Sequence, residues 1–167
     1  TSIPLAYKDD IILVSGNDLL CFDPETISEK WRFQTNASSE LAKIDQWDYH
    51  HSSPILHEGV VYFGCGNGKL YAINPDTGEE VISWESVDQA PIRTTPNIVD
   101  GILYFGDWEG VVYAVDLEST QLKWSARTYT GPHFDNYAGI LSQIEVGENL
   151  VYYGARNQNI KALNKTN

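Results

Sequence analysis

The chain has 167 residues, enough for one sizeable hydrophobic core, and nothing in its composition demands a second domain. Its formal net charge is −12, from 23 acidic against 11 basic side chains, so phosphate repulsion is the default and nucleic acid is not an expected partner. Hydrophobic residues at 42%, aromatics at 12% and 13 glycines describe a folded, strand- and turn-rich chain, and no apolar run reaches the roughly 18 residues that span a bilayer, so no membrane insertion is expected.

In chain order, Ile11-Ile12-Leu13-Val14 and Leu19-Leu20-Cys21-Phe22 read as two strands, followed by the turn Asp23-Pro24-Glu25-Thr26 and an outer strand Trp31-Arg32-Phe33. A long connection over 36–52 leads to Ser53-Pro54-Ile55-Leu56, with Pro at the strand's first residue, where a missing N–H costs least. His57-Glu58-Gly59 turns into Val60-Val61-Tyr62-Phe63-Gly64, Gly66-Asn67-Gly68 turns into Leu70-Tyr71-Ala72, and Asn74-Pro75-Asp76-Thr77-Gly78 leads to an outer strand carrying Trp84. The pattern then repeats. Thr95-Pro96-Asn97-Ile98, Ile102-Leu103-Tyr104-Phe105-Gly106, Val112-Tyr113-Ala114 and a strand with Trp124 form a third unit. After a second long connection, 128–140, Leu150-Val151-Tyr152-Tyr153-Gly154 and Ile160-Lys161-Ala162 begin a fourth.

Gly64, Gly106 and Gly154 stand 42 and 48 residues apart, and each is followed eight positions later by an alanine, Ala72, Ala114 or Ala162. That period is one four-stranded blade. The expected fold is therefore all-β, a single domain over 1–167 of antiparallel β-propeller blades at about 1–40, 52–90, 94–128 and 141–167. The fourth unit lacks its outer strand at Asn167, and an open outer edge is an aggregation liability. We expect either a segment of a larger ring of seven or eight blades, read as its C-terminal half, or a chain completed by a second copy. Cys21 and Cys65 each lie in an apolar strand pattern of a different repeat, which favours two buried free thiols over a disulfide.

The stretch Ala114-Val115-Asp116-Leu117-Glu118-Ser119-Thr120-Gln121-Leu122-Lys123-Trp124 resembles the tryptophan-docking motif A-x-D-x-x-T-G-x-x-x-W of pyrroloquinoline-quinone (PQQ)-like propeller repeats. Cys21 and Asp23 through Thr26 to Trp31 keep the same spacing, with Ile27 for the glycine; Ala72, Asn74, Thr77 and Gly78 keep the front half, but Trp84 arrives two residues late. In such a motif the small residue permits close packing, the Asp or Asn bonds turn amides, and the indole covers the neighbouring blade. Asp23, Trp31, Asn74, Trp84, Asp116 and Trp124 are the structural docking residues that this resemblance implies. The family includes quinoprotein dehydrogenases, the propeller lipoprotein of the outer-membrane β-barrel assembly machinery, and secreted proteins of other roles. The dehydrogenases imply an adjacent cysteine pair and a Ca²⁺ held by Glu, Asn and Asp, and neither pattern stands in this sequence.

Loops between blades and the central turns within blades share one face of a propeller, where functional residues concentrate. Candidate rim residues are Trp47, Asp48, Tyr49, His50 and His51 in the first long connection, and His133, Phe134, Asp135 and Tyr137 in the second. Trp108 and Arg156 in central turns, and Arg93 before a first strand, should join them. Mixed aromatic and hydrogen-bonding residues suit a protein or peptide interface; the plain alternative is that they cap the propeller's mouth. His50 and His51 are adjacent and do not make a ready chelate, and Gly64-Cys65-Gly66-Asn67-Gly68 joins two strands, so it lacks the helix N-terminus of a phosphate cradle. No catalytic, metal or cofactor site is expected. The leading expectation is a non-catalytic, extracytoplasmic protein-binding or scaffold module. The alternatives are a piece of a PQQ- and calcium-dependent alcohol or sugar oxidoreductase, and a sensor or scaffold propeller appended to an enzyme or kinase.

Overall fold

The computed structural model describes residues 2–35, 51–128, 139–155 and 160–166. The first sheet comprises β1 (Leu5–Tyr7), β2 (Asp10–Ser15), β3 (Asp18–Asp23) and β4 (Ser28–Phe33). The second comprises β5 (Ile55–His57), β6 (Val60–Gly64), β7 (Lys69–Ile73) and β8 (Glu80–Glu85). The third comprises β9 (Asn97–Val99), β10 (Ile102–Gly106), β11 (Val111–Asp116) and β12 (Leu122–Arg127). A three-stranded sheet follows, β13 (Glu145–Val146), β14 (Leu150–Gly154) and β15 (Ile160–Asn164). Within every sheet the strands lie in chain order and pair antiparallel, as in a blade built from successive hairpins. Among the described residues the only helical element is a single 3-10 turn, Val87–Gln89. Pro54 and Pro96 stand immediately before β5 and β9 rather than as their first residues.

The two middle strands of a blade read as unbroken apolar runs because both their faces are covered. Alternate side chains on a strand point to opposite faces. Val61 and Phe63 of β6, with Tyr71 and Ile73 of β7, pack back on Ile12, Val14, Leu19 and Cys21 of the first blade. Tyr62, Leu70 and Ala72 pack forward on Leu103, Phe105, Tyr113 and Val115 of the third. Tyr104, Val112 and Ala114 in turn meet Val151 and Tyr153 of the fourth. Stacked ring pairs at one register, Phe63 with Tyr71 at 5.5 Å and Phe105 with Tyr113 at 4.7 Å, show the same packing recurring blade by blade.

Close approach at these interfaces requires the absence of a side chain. A Cβ on Gly64 would lie 2.4 Å from Ile92 Cγ2 and 2.8 Å from the Ile92 carbonyl oxygen, and one on Gly106 would lie 2.9 Å from Ile140. These glycines are the repeat's most regular residues because the connection into the following blade lies directly on them.

The tryptophans close the outer side. Trp31 Nε1–H donates to the Pro75 carbonyl at 3.0 Å, and Trp124 Nε1–H to the Lys165 carbonyl at 2.9 Å, each acceptor lying in the turn before the next blade's outer strand or its equivalent. Beneath Trp31 sits Gly78, at φ 74°, where a Cβ would come within 2.8 Å of the indole. Trp84 departs from this geometry in the way its late position requires. Ile82 pairs with Ala72, as Trp31 pairs with Cys21 and Trp124 with Ala114. Trp84 pairs two residues further on with Leu70, and its indole N–H reaches Thr120 O at 3.0 Å instead. All three indoles therefore bridge neighbouring blades. The turns they meet are held by Asx side chains: Asp23 Oδ1 accepts the amides of Glu25 and Thr26, Asn74 Oδ1 those of Asp76 and Thr77, and Asp116 Oδ1 that of Ser119. These amide donors hold the Asp23 and Asp116 carboxyls below the usual range.

Trp124 is buried while Trp84 is half-buried, so truncation should discriminate between them. Trp124→Phe removes one hydrogen bond and should cost about 1 kcal/mol, whereas Trp124→Ala also opens a cavity and should cost about 3–5 kcal/mol. Trp84→Ala should cost less than Trp124→Ala. Urea unfolding of the three variants checks the ranking.

Candidate functional site

The face carrying the inter-blade connections is assembled by backbone staples that recur between blades. Ser86 N–H donates to Gly68 O at 2.8 Å, and Thr128 N–H to Gly110 O at 2.9 Å. Ile92 N–H donates to Cys65 O and Ile140 N–H to Asp107 O, both at 3.0 Å. The connections from the second blade to the third and from the third to the fourth are thus tied, where each leaves one blade and where it enters the next, to the central turn between the blade's second and third strands. Connections and central turns share one face, as the sequence led us to expect.

Hydroxyl side chains fix the inner strands to this frame. Ser52 Oγ accepts Gly64 N–H at 2.9 Å, Thr94 Oγ1 accepts Gly106 N–H at 3.0 Å, and Ser142 Oγ accepts Gly154 N–H at 2.8 Å, each pair twelve residues apart. The next hydroxyl links blade to blade: Ile3 N–H donates to Ser53 Oγ at 2.9 Å, and Ser53 N–H to Thr95 Oγ1 at 3.1 Å. Sequence reasoning missed these residues. The signal was present in the doublets Ser52-Ser53-Pro54 and Thr94-Thr95-Pro96 at repeat spacing.

The central turns of the second and third blades do one job with two chemistries. In the second, Asn67 Oδ1 accepts Lys69 N–H at 3.1 Å and its Nδ2 donates to Tyr71 Oη at 2.7 Å. In the third, Asp107 Oδ1 accepts the amides of Glu109 and Val111 at 2.9 and 2.8 Å, and Tyr113 donates its hydroxyl proton to Oδ2 at 2.7 Å. The Tyr113 oxygen accepts Val87 N–H at 2.8 Å, which draws the connection into the same network. Asp107 is fully buried, and desolvation pushes its pKa up to about 6 against the pull of its three donors. Burial and the facing carboxylate raise the Tyr113 hydroxyl in turn.

Of the candidate rim residues, Trp47, Asp48, Tyr49, His50, His133, Phe134, Asp135, Tyr137 and Arg156 lie outside the described residues. His51 is half-buried, next to the buried Ser52. Trp108 is half-buried in the third central turn; its N–H donates to Pro91 O at 2.8 Å, and a Cβ on Gly139 would lie 2.9 Å from its carbonyl oxygen. The second long connection therefore returns beside Trp108. Arg93 is buried, its guanidinium lying over Gly66, where a Cβ would sit 2.9 Å from Nη2 and 2.7 Å from Asn17 Oδ1. It joins the turns of the first two blades to the start of the third. Cys21 and Cys65 are free and buried, and burial raises both thiols above their usual pKa. Among the described residues no three His, Cys, Asp or Glu side chains are gathered as metal ligands, and no helix is long and apolar enough to cross a membrane.

The blades, the indole bridges and the Asx turns define a partial β-propeller of the PQQ-like type. Residues 1–167 match the family model described as outer membrane protein assembly factor BamB, and the chain belongs to that family. Among solved structures it is similar to BamB from Moraxella catarrhalis, at 17% identity and TM-score 0.79, covering 98% of this chain and 48% of that one. It is also similar to the quinohemoprotein alcohol dehydrogenase of Comamonas testosteroni, at 18% identity and TM-score 0.73, covering 92% of this chain and 28% of that one. A computationally designed protein, Ika4, matches at 17% identity and TM-score 0.64, covering 98% of this chain and 92% of its own. The chain thus spans about half the length of the BamB structure. No curated protein matches it.

Asp107 makes stability pH-dependent in a definite direction. Its native pKa of about 6 stands above the ordinary 3.8, so its contribution is fully present below the lower value and is lost as pH rises through about 6. The full loss is roughly 3 kcal/mol. Asp107→Asn keeps a turn-capping side-chain oxygen without the charge and should abolish this component. We expect the stability difference, wild type minus variant, to fall between pH 4 and 7 in urea titrations; the exposed turn carboxylates with lowered pKa act oppositely but are common to both proteins.

Proposed function

We propose that the chain is a non-catalytic PQQ-like propeller module that binds or scaffolds another protein outside the cytoplasm, through the face that carries the inter-blade connections. The observation that carries this reading is the match of all 167 residues to a family described by its role in outer membrane protein assembly. The geometry gives it a physical basis. Backbone staples at Thr128 and Ile140 fix the ends of the second long connection, and preorganisation lowers the entropic cost of binding. Trp108 stands beside the returning second connection. Likeness to quinoprotein dehydrogenases extends to the fold, and fold alone does not license their chemistry.

Photo-crosslinking in intact cells provides the test, using the natural full-length protein with a benzophenone side chain at Trp47, Trp108 or Phe134. Control positions are Glu58 and Asp100, in the turns on the opposite face. Crosslinks to a protein partner should arise from the first set and not from the controls. Alanine at Trp108 should weaken capture of that partner by about tenfold or more, the effect of losing an interface aromatic, with unchanged thermal melting. Equal crosslinking from both faces overturns the proposal. Quinone absorbance and dye-linked alcohol oxidation after addition of PQQ and Ca²⁺ would establish the oxidoreductase reading in its place.

A further inference from the structure

The turn Val87–Gln89 is an exposed flap between two buried anchors, Ser86 and Ala90. The anchors are held by bonds of their own: Ser86 N–H donates to Gly68 O at 2.8 Å, and Ser86 Oγ–H to Ala90 O at 2.7 Å. Within the flap, Asp88 and Gln89 stand at φ 59° and 54°, the left-handed region that residues other than glycine occupy under strain. Two polar contacts among the described residues hold the flap to the third blade. One is the Asp88–Arg127 ion pair, 3.5 Å long and exposed, which water and salt weaken. The other is the bond from Val87 N–H to Tyr113 Oη at 2.8 Å.

That bond ends a relay whose other end is fully buried. Asp107 Oδ1 accepts the amides of Glu109 and Val111, Oδ2 accepts the Tyr113 hydroxyl proton, and the phenol oxygen accepts Val87 N–H. Four donors thus share three oxygens, and the set is complete only while the carboxyl is ionised. A proton added to Asp107, which is 0% exposed, cannot turn to solvent. On Oδ1 it displaces an amide; on Oδ2 it faces the Tyr113 hydroxyl hydrogen, and one of the two must turn away. Reversing the Oδ2–Tyr113 bond keeps both amides on Oδ1, and the phenolic hydrogen then competes for the space in which the oxygen accepts Val87 N–H. We propose that Asp107, Tyr113 and Val87 form a proton-operated latch: ionised Asp107 holds the flap on the connection face, and protonation of Asp107 releases it.

Burial sets where the latch works. Desolvation pushes the Asp107 pKa up to about 6, against the hydrogen bonds from Tyr113, Val111 and Glu109 and the attraction of Arg127 on β12. Of the other charged groups nearby, Asp88 faces Arg127 from the flap, and Glu109 turns its amide inward while the residue itself is exposed. The latch therefore opens as pH falls through about 6. Tyr71, the second blade's equivalent of Tyr113, is met instead by the Asn67 amide, which does not titrate. Beyond Ala90 the chain reaches Pro91, whose carbonyl accepts Trp108 N–H at 2.8 Å. A change of partner capture with pH rests on the binding face proposed above, whereas the latch itself does not.

Hydrogen exchange in the natural full-length protein, read by NMR at single amides, tests the latch without any partner. Corrected for the intrinsic rate, the protection of Val87 N–H should fall by about tenfold between about pH 7 and about pH 5, with its midpoint at about 6, while Ser86 and Ile92 keep theirs. Tyr113→Phe should leave Val87 weakly protected at both pH values and so remove the pH dependence. Asp107→Asn sets a permanent NH₂ donor within reach of Tyr113 and should do the same. Val87 protection that stays constant in the wild type overturns the latch. A loss shared equally by Ser86 and Ile92 overturns it as well, since the whole connection then loosens, and so does a pH dependence that survives Tyr113→Phe. Failure of the crosslinking test would leave each of these outcomes unchanged.

Discussion

Everything in this structure depends on how closely one blade can approach the next. The distance is set where Gly64 meets the backbone and side chain of Ile92 and Gly106 the side chain of Ile140, with no room for a single carbon between them. At that separation the apolar faces of adjoining middle strands interdigitate, and the hydrophobic term gains from both faces of each strand. The indoles act at the outer margin of the same contact. Each N–H finds a carbonyl in the neighbouring turn, which for Trp31 and Trp124 satisfies a part-buried donor whose loss would cost about 1–3 kcal/mol.

The repeat tolerates chemical variation wherever geometry is preserved. Asn67 and Asp107 both cap a central turn and both engage a tyrosine, but only Asp107 brings an ionisable group into the interior. The asymmetry places a titrating carboxyl within hydrogen-bonding reach of a tyrosine that also holds the following connection. Trp84 shows the same tolerance in the docking motif. It sits two residues beyond the usual position on the same face of its strand, and the period of two keeps its indole aimed at the next blade.

The architecture was legible because propeller interfaces repeat: apolar runs, glycines and tryptophans recur about once per blade, and each recurrence tests the same packing. Asp100 and Gly101 take φ values of 53° and 72°, the left-handed pair that a two-residue hairpin requires and that Asp-Gly in sequence announces. The two free thiols were legible for a related reason, since Cys21 falls within an apolar strand and Cys65 directly after one, in separate blades. The hydroxyl relay through Ser52, Thr94 and Ser142 was not read. Serine and threonine are common beside proline, and only the glycine amides they serve, twelve residues on, give them meaning. Arg93 joins the candidate rim from its place before a first strand, but no pattern in the sequence reveals that it lies over Gly66 beside Asn17 of another blade.

The candidate rim was less legible for a physical reason. In the second and third blades the middle strands spend both faces on packing, and the outer strands carry the bridges, so little of the repeat is free to vary chemically. The connections and central turns carry no such periodic constraint, although staples hold the ends of the second-to-third and third-to-fourth connections. A long connection between fixed ends can change its aromatic and charged residues without disturbing blade spacing. The face that carries Trp108 and the ends of both long connections is therefore the part of the repeat least constrained by blade packing.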